Sequence, residues 1–227
     1  MAVFLGVLSG LCLVVALLVV RLFVVLRSGP QSRPGEKGSV SVLAVVGSGG
    51  HTTEMLRLME SLSSSYSPRH YVIADTDHMS EDKIRTLEAA KNTLDLQQKF
   101  TIHRIPRSRE VRQAWSSSVL TTANALLYSV PLVFRLRPDM VLCNGPGTCV
   151  PLCVAGLLLG LLGLKKVLIV YVESICRVET LSLSGKILYH LSDYFFVQWS
   201  TLKDKYPRSI YVGRIKNPPR LQTPVLG

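Results

Sequence analysis

The sequence predicts an α/β domain on a mainly parallel sheet, preceded by one membrane-spanning helix. Three observations carry that prediction. Short uncharged runs rich in β-branched residues alternate with helical patterns from residue 40 to residue 212, which sets strands parallel with right-handed crossovers. Two of those runs end in glycine turns that lead straight into a helix. The first twenty residues carry no charge.

Ala2–Val20 has a single hydroxyl, Ser9, and is long enough to cross a bilayer, for which ~20 residues are needed. Arg21, Arg27, Arg33 and Lys37 follow, so the positive-inside rule puts the rest of the chain in the cytosol and the N-terminus in the lumen. A cleaved signal peptide is the alternative. It lacks a basic residue in front, and its apolar core would be too long. These signs divide the chain into a signal-anchor helix (2–26), a Gly/Pro/Ser-rich linker (27–38), one domain (39–215) and a proline-rich tail (216–227) read as disordered.

Within the domain, Val40–Val46 reads as a buried strand. It stops in Gly47-Ser48-Gly49-Gly50, and His51 opens a helix with Met55, Leu56, Leu58, Met59 and Leu62 as its stripe. His70–Asp75 is the second strand. Asp75-Thr76-Asp77 after it either caps the helix Met79–Ala90 or offers carboxylates to a ribose or metal. Lys91–Lys99 reads as loop, and Phe100–Ile105 is a third strand. The run Arg104–Arg112, with four arginines, is either solvated surface or a contact with phosphates or anionic headgroups. Ala114–Leu136 is a helix broken or kinked at Pro131. Met140–Cys143 is a strand ending in Asn144-Gly145-Pro146-Gly147-Thr148, which feeds the apolar helix Val150–Leu164. Val167–Val172 ends in Glu173-Ser174. Ser184–Leu191 (helix), Tyr194–Val197 (strand), Thr201–Lys205 (helix) and Ile210–Val212 (strand) complete the fold.

The formal charge of +11 predicts an anionic partner, a phosphate-bearing substrate or membrane face. Aromatic residues make up only 7%, and no basic stretch is interleaved with stacking aromatics, so nucleic acid is not expected. Five cysteines without paired C-x-x-C spacing argue against zinc and for a reduced compartment.

The chemistry concentrates in the two glycine turns. In the usual strand order, strands one and four are neighbours at the switch point, where ligands bind beyond the strand ends. That brings Gly47, Ser48, Gly49, Gly50, His51 and Thr52 together with Asn144, Gly145, Gly147, Thr148 and Glu173. A helix N-terminus with uncovered N–H groups suits a phosphate or diphosphate. A P-loop is excluded, because no lysine lies between Val40 and Ser65. A dinucleotide fingerprint lacks its third glycine, since Thr52 stands there. An ordinary Rossmann-type turn with a capping threonine remains open.

Gly-Ser-Gly-Gly-His-Thr resembles the first glycine-rich loop of GT-B glycosyltransferases that act on lipid-linked diphosphate sugars. With Arg69–Asp77, Ile105–Val111, Val141–Pro151 and Ile169–Thr180, the chain resembles the membrane-anchoring subunit of the UDP-N-acetylglucosamine transferase of asparagine-linked glycosylation. The resemblance covers about residues 3–215. It implies one Rossmann-like domain similar to the acceptor-binding half of a GT-B enzyme, at the endoplasmic reticulum membrane, with no cofactor and no metal. It implies transfer of N-acetylglucosamine from UDP-N-acetylglucosamine to dolichyl-diphosphate-linked N-acetylglucosamine, and a soluble catalytic subunit that binds the nucleotide sugar and meets this chain near Tyr211–Ile215. It leaves room for a contact with the preceding N-acetylglucosamine-phosphate transferase. The chain length agrees: a GT-B enzyme needs two such domains, only one fits here, and the chain alone is expected to be inactive. His51 and Glu173 are the candidate catalytic bases. Their alternatives are a phosphate hydrogen bond for His51 and a buried ion pair with Arg177 for Glu173. The tail Lys216–Gly227 departs from the family pattern.

Two rival readings remain. One is a membrane-anchored NAD(P)-dependent oxidoreductase, with Asp75 or Asp77 holding the ribose; no Tyr-x-x-x-Lys pair supports it at Tyr171 or Tyr189. The other is a pure anchor whose glycine loops are scaffold.

Overall fold

The computed structural model describes residues 1–27, 38–92, 99–109, 113 and 115–215. The linker, the tail and the Glu110–Arg112 part of the arginine run lie largely or wholly outside the described residues. Helix α1 (Ala2–Arg27) stands apart from the domain for most of its length, with apolar side chains exposed from Phe4 to Val24. It is long and apolar enough to cross a membrane.

The domain has seven strands: β1 (Val42–Val45), β2 (Arg69–Ala74), β3 (Phe100–Ile105), β4 (Met140–Asn144), β5 (Leu168–Val172), β6 (Tyr194–Val197) and β7 (Ile210–Tyr211). They form one sheet in the order β3-β2-β1-β4-β5-β6-β7, with every pairing parallel. The helices between them are α2 (Gly50–Ser61), α3 (His78–Asn92), α4 (Trp115–Leu136), α5 (Cys149–Leu161), α6 (Leu183–Leu191) and α7 (Ser200–Lys205). The chain reverses direction across the sheet between β1 and β4, which are in register from Val42–Met140 to Val45–Cys143.

Strand alternation divides the core in two. Leu43, Val45, Val141, Cys143, Ile169 and Tyr171 face α4, α5, α6 and α7. Val42, Ala44, Val46, Tyr71 and Ile73 face α2 and α3, through Met55, Met59 and Ile84. On that second face α2 reaches β4 through Leu58 and Leu62, and among the described residues the β5–β6 part has no helix over it. A groove of about 870 Å³ runs along Met140, Leu142, Val170, Phe196, Val212 and Ile215.

α4 is one continuous helix with Pro131 inside it, not broken or restarted. It too has the length and composition of a span, although part of it is buried. α5 is a core helix: Leu152, Cys153, Ala155 and Leu159 are fully buried. Its end meets α1, where Arg21 Nε donates to the Leu161 carbonyl at 3.3 Å and Val25 lies over Gly160. Asp77 takes the capping role: it accepts from Ser80 N at 3.1 Å and from Ser80 Oγ at 2.7 Å. With its carboxylate spent there, it is not free for a ribose. All five cysteines are free.

Candidate functional site

The two glycine turns meet at the switch point. Gly47 packs so closely under the second turn that a β-carbon on it would lie 2.9 Å from Pro146 and 3.0 Å from His51 Cβ. Gly145 has φ +73°, and a β-carbon there would sit 2.4 Å from His51 Cε1. Only glycine meets both demands. Gly49, at φ +66°, turns the chain into α2, whose first turn no side chain caps. The N–H groups of that turn have no intrahelical partner, and Ser48, Gly49 and Gly50 are exposed. The second turn offers less. The N–H groups of Cys149 and Val150 already donate to Pro146 and Gly147 carbonyls at 3.0 and 3.2 Å. Gly147 is exposed, and Thr148 is buried.

A cavity of about 340 Å³ opens beside the first turn, lined by Gly50, His51, Glu54, Gly145, Glu173, Ser174, Cys176, Arg177 and Ser182. Its mouth carries the exposed Arg177. An uncapped helix N-terminus and a guanidinium on one cavity suit an anion such as a phosphate.

The structure gathers most of the sequence-predicted residues here and reassigns three of them. The Thr52 hydroxyl is 1% exposed and engages the Gly47 carbonyl and Ser80 Oγ, so that hydroxyl braces the turn and does not face the cavity. The Asn144 side chain is fully buried and lies under His51, with 3.3 Å between His51 Nδ1 and Asn144 Oδ1. Glu173 is buried with both oxygens occupied. One accepts from Ser174 N at 3.0 Å, the other from Ser182 N and Ser182 Oγ at 3.0 Å each. A carboxylate so engaged tethers the loop to the start of α6; it is poorly placed to remove a proton from a ligand. Burial pushes its pKa up, against those N–H bonds and the more distant Arg177 charge, which pull it down. The anticipated ion pair with Arg177 is not formed among the described residues.

Two polar residues of the site escaped the sequence reading. Glu54, 7% exposed, accepts from Asn144 Nδ2, Ser174 Oγ, Ile175 N and Gln198 Nε2. Gln198 follows β6 directly, as Glu173 follows β5. Its Nε2 donates to the Glu173 carbonyl at 3.0 Å, and its Oε1 accepts from Ile215 N at 3.0 Å. The rule that selects polar residues at the carboxyl ends of parallel strands selects Gln198 too. An acid next to Met55 on the buried side of α2 was the signal for Glu54.

Fold and site together define a Rossmann-like α/β domain of the GT-B type, with an anion-suited crevice at its switch point. The same fold occurs in a MurG from Acinetobacter baumannii (TM-score 0.50, 15% identity, 70% of this chain) and in a UDP-N-acetylglucosamine 2-epimerase (TM-score 0.52, 19% identity, 73% of this chain). The chain spans about two fifths of each, 41% and 42%. It belongs to the family described as "Oligosaccharide biosynthesis protein Alg14 like", whose model matches residues 42–215. It is similar to proteins named UDP-N-acetylglucosamine transferase subunit ALG14. The Rattus norvegicus one is 65% identical over 202 residues, 88% of this chain and 92% of that protein. The Homo sapiens one is 63% identical over 205 residues, 89% and 94%. The Schizosaccharomyces pombe one is 46% identical over 176 residues, 76% and 81%. Nothing in these comparisons favours an oxidoreductase.

Proposed function

We propose that this chain is the membrane-anchoring, acceptor-binding subunit of a two-chain glycosyltransferase. The enzyme passes N-acetylglucosamine from UDP-N-acetylglucosamine to dolichyl-diphosphate-linked N-acetylglucosamine on the cytosolic face of the endoplasmic reticulum. The observation that carries the proposal is identity of 63–65%, over nearly nine tenths of the chain, to proteins named UDP-N-acetylglucosamine transferase subunit. The architecture supports it. One Rossmann-like domain supplies one wall of a GT-B cleft, and a soluble partner supplies the nucleotide-sugar wall.

In this reading α1 spans the membrane with its N-terminus in the lumen and holds the domain where the dolichol lies, raising the effective acceptor concentration. The acceptor diphosphate sits on the N–H groups of Gly49, Gly50 and the start of α2, with Arg177 beside it. His51, above that turn, is the base that receives the acceptor hydroxyl proton. The partner subunit stabilises the departing UDP. It docks at the open sheet face around Val212 and Ile215, where an apolar groove ends at the C-terminal segment.

The test is a transfer assay with the full chain in lipid, UDP-N-acetylglucosamine and dolichyl-diphosphate N-acetylglucosamine, with and without the soluble subunit. Product only with both chains is expected. Product from this chain alone would refute the split-enzyme reading. Gly49→Val should abolish transfer without releasing the partner; full transfer by that variant would leave the chain a pure anchor.

A further inference from the structure

The buried network under His51 fixes more than a ring position. Asn144 Nδ2 lies 3.0 Å from Glu54 Oε2 and 3.2 Å from the Val172 carbonyl. Both are acceptors, so the amide nitrogen must face them and Oδ1 must face the other way. His51 Nδ1 is there, at 3.3 Å. An amide oxygen only accepts, so Nδ1 carries the hydrogen. A neutral imidazole has one N–H; Nε2 therefore holds the lone pair. The reversed amide would set Oδ1 against a carboxylate and a carbonyl, two repulsive contacts in place of two hydrogen bonds. Glu54 supplies the stronger of the two constraints, a charged acceptor at the shorter distance. Its carboxylate collects Ser174 Oγ at 2.9 Å, Ile175 N at 3.3 Å and Gln198 Nε2 at 3.4 Å besides Asn144, and these donors hold it in place. Among the described residues nothing in the protein hydrogen-bonds His51 Nε2.

We propose that Glu54 is a positioning residue: acting through Asn144, it locks His51 in the Nδ1–H tautomer and reserves Nε2 to accept a proton at the crevice. The inference rests on the acceptor-site reading above. In the step it serves, the acceptor O–H bond breaks and its proton passes to His51 Nε2. The oxygen forms a bond to the anomeric carbon of the donor sugar, and the bond from that carbon to UDP breaks, with UDP keeping the electron pair. Asn144 Oδ1 then keeps its hydrogen bond as the ring becomes doubly protonated.

The experiment uses full-length protein in lipid nanodiscs with 15N-labelled histidine. Long-range 1H–15N correlation, above the imidazole titration range, reads which ring nitrogen of His51 is protonated. The wild type should show Nδ1–H and a bare Nε2. Glu54→Gln can turn its oxygen to Asn144, Ile175 and Gln198 and its NH2 to the Ser174 hydroxyl, so it should keep that tautomer. Glu54→Met removes the charged acceptor and leaves Asn144 Nδ2 facing the neutral Val172 carbonyl, a weaker hold, so it should mix a measurable share of the second tautomer into the first. With the partner present, kcat of Glu54→Met should fall about 10-fold or more, a part of the roughly 10²–10⁴-fold that a general base contributes, while the acceptor KM stays within about 2-fold. Glu54→Gln should recover most of that loss. A wild-type His51 protonated at Nε2 would overturn the proposal, even if Glu54→Met does not fold. So would a Glu54→Met protein with the wild-type tautomer, or a Glu54→Gln protein with a changed one. Failure of wild-type transfer in the presence of the partner would count against the acceptor site alone, because the tautomer is read without substrate.

Discussion

At the scale of single residues, the site depends on positions where one atom too many does damage. Gly145→Ala would push a methyl to 2.4 Å from the His51 ring in a left-handed backbone conformation. It should cost about 1–2 kcal/mol of stability and reduce transfer at least about 10-fold through the displaced imidazole; a denaturant titration beside the transfer assay measures both. Glu173 carries a pH dependence. Burial raises its carboxyl pKa above the usual 4.5, so the folded chain holds that proton more tightly than the unfolded one. Its contribution to stability is complete below about pH 4.5 and is lost as pH rises through the raised value. The difference in denaturant midpoint between wild type and Glu173→Gln should therefore favour wild type most in acid and shrink as pH rises; a difference that does not change with pH would contradict this. Both glycine turns and Asn144 were legible in the sequence, because glycine and strand-end polar residues announce themselves locally. Glu54 was not, since its partners stand 90, 120 and 144 residues away. What the Thr52 hydroxyl, the Asn144 amide and Glu173 bond to was hidden for the same reason: groups that occupy them come from other elements.

At the scale of elements, β2 is pinned to α3 by one buried ion pair. Arg69 Nη1 lies 3.0 Å from Glu88 Oε1, both side chains are fully buried, and the Tyr71 hydroxyl donates to the same carboxylate. Glu88→Ala would strand a guanidinium in the core and should cost about 3–5 kcal/mol, seen as a lower denaturant midpoint or as loss of folded protein. The α1–α5 junction depends on a small residue. A β-carbon at Gly160 would lie 3.0 Å from Val25 Cγ1, so Gly160→Leu should lift the end of α1 off α5. Amide hydrogen exchange should then speed up around residues 21–27 while the sheet stays protected; unchanged exchange would mean that the contact contributes little. Strand and helix limits were readable to within a few residues, because uncharged β-branched runs and glycine turns mark them. At Pro131 the sequence left a kinked and an interrupted helix open; packing against α5 and β3 keeps α4 continuous there.

At the scale of the molecule, the strand order followed from alternation and handedness, while the open part of one sheet face did not. Seeing it requires knowing that no described helix returns to cover β5 and β6 there. If that face receives the soluble subunit, Val212→Asp should abolish co-purification of the two chains and leave α1 in the membrane. Retained co-purification would move the docking site elsewhere. Formal charge and the long apolar N-terminal helix were plain in composition, but the joining of α1 to the domain through Arg21 and Val25 appears only in three dimensions.

That joint has a consequence for biosynthesis. α1 leaves the ribosome before the domain does, and its docking surface, the Gly160–Gly163 end of α5, is made well over a hundred residues later. β1 waits almost as long for β4, its second neighbour. If α1 enters a bilayer, the nascent chain passes through a stage in which that helix is inserted while the sheet is still half built and its apolar strands lie open beside the membrane. Any chaperone that covers those strands would then act at the membrane surface, before the second glycine turn has emerged.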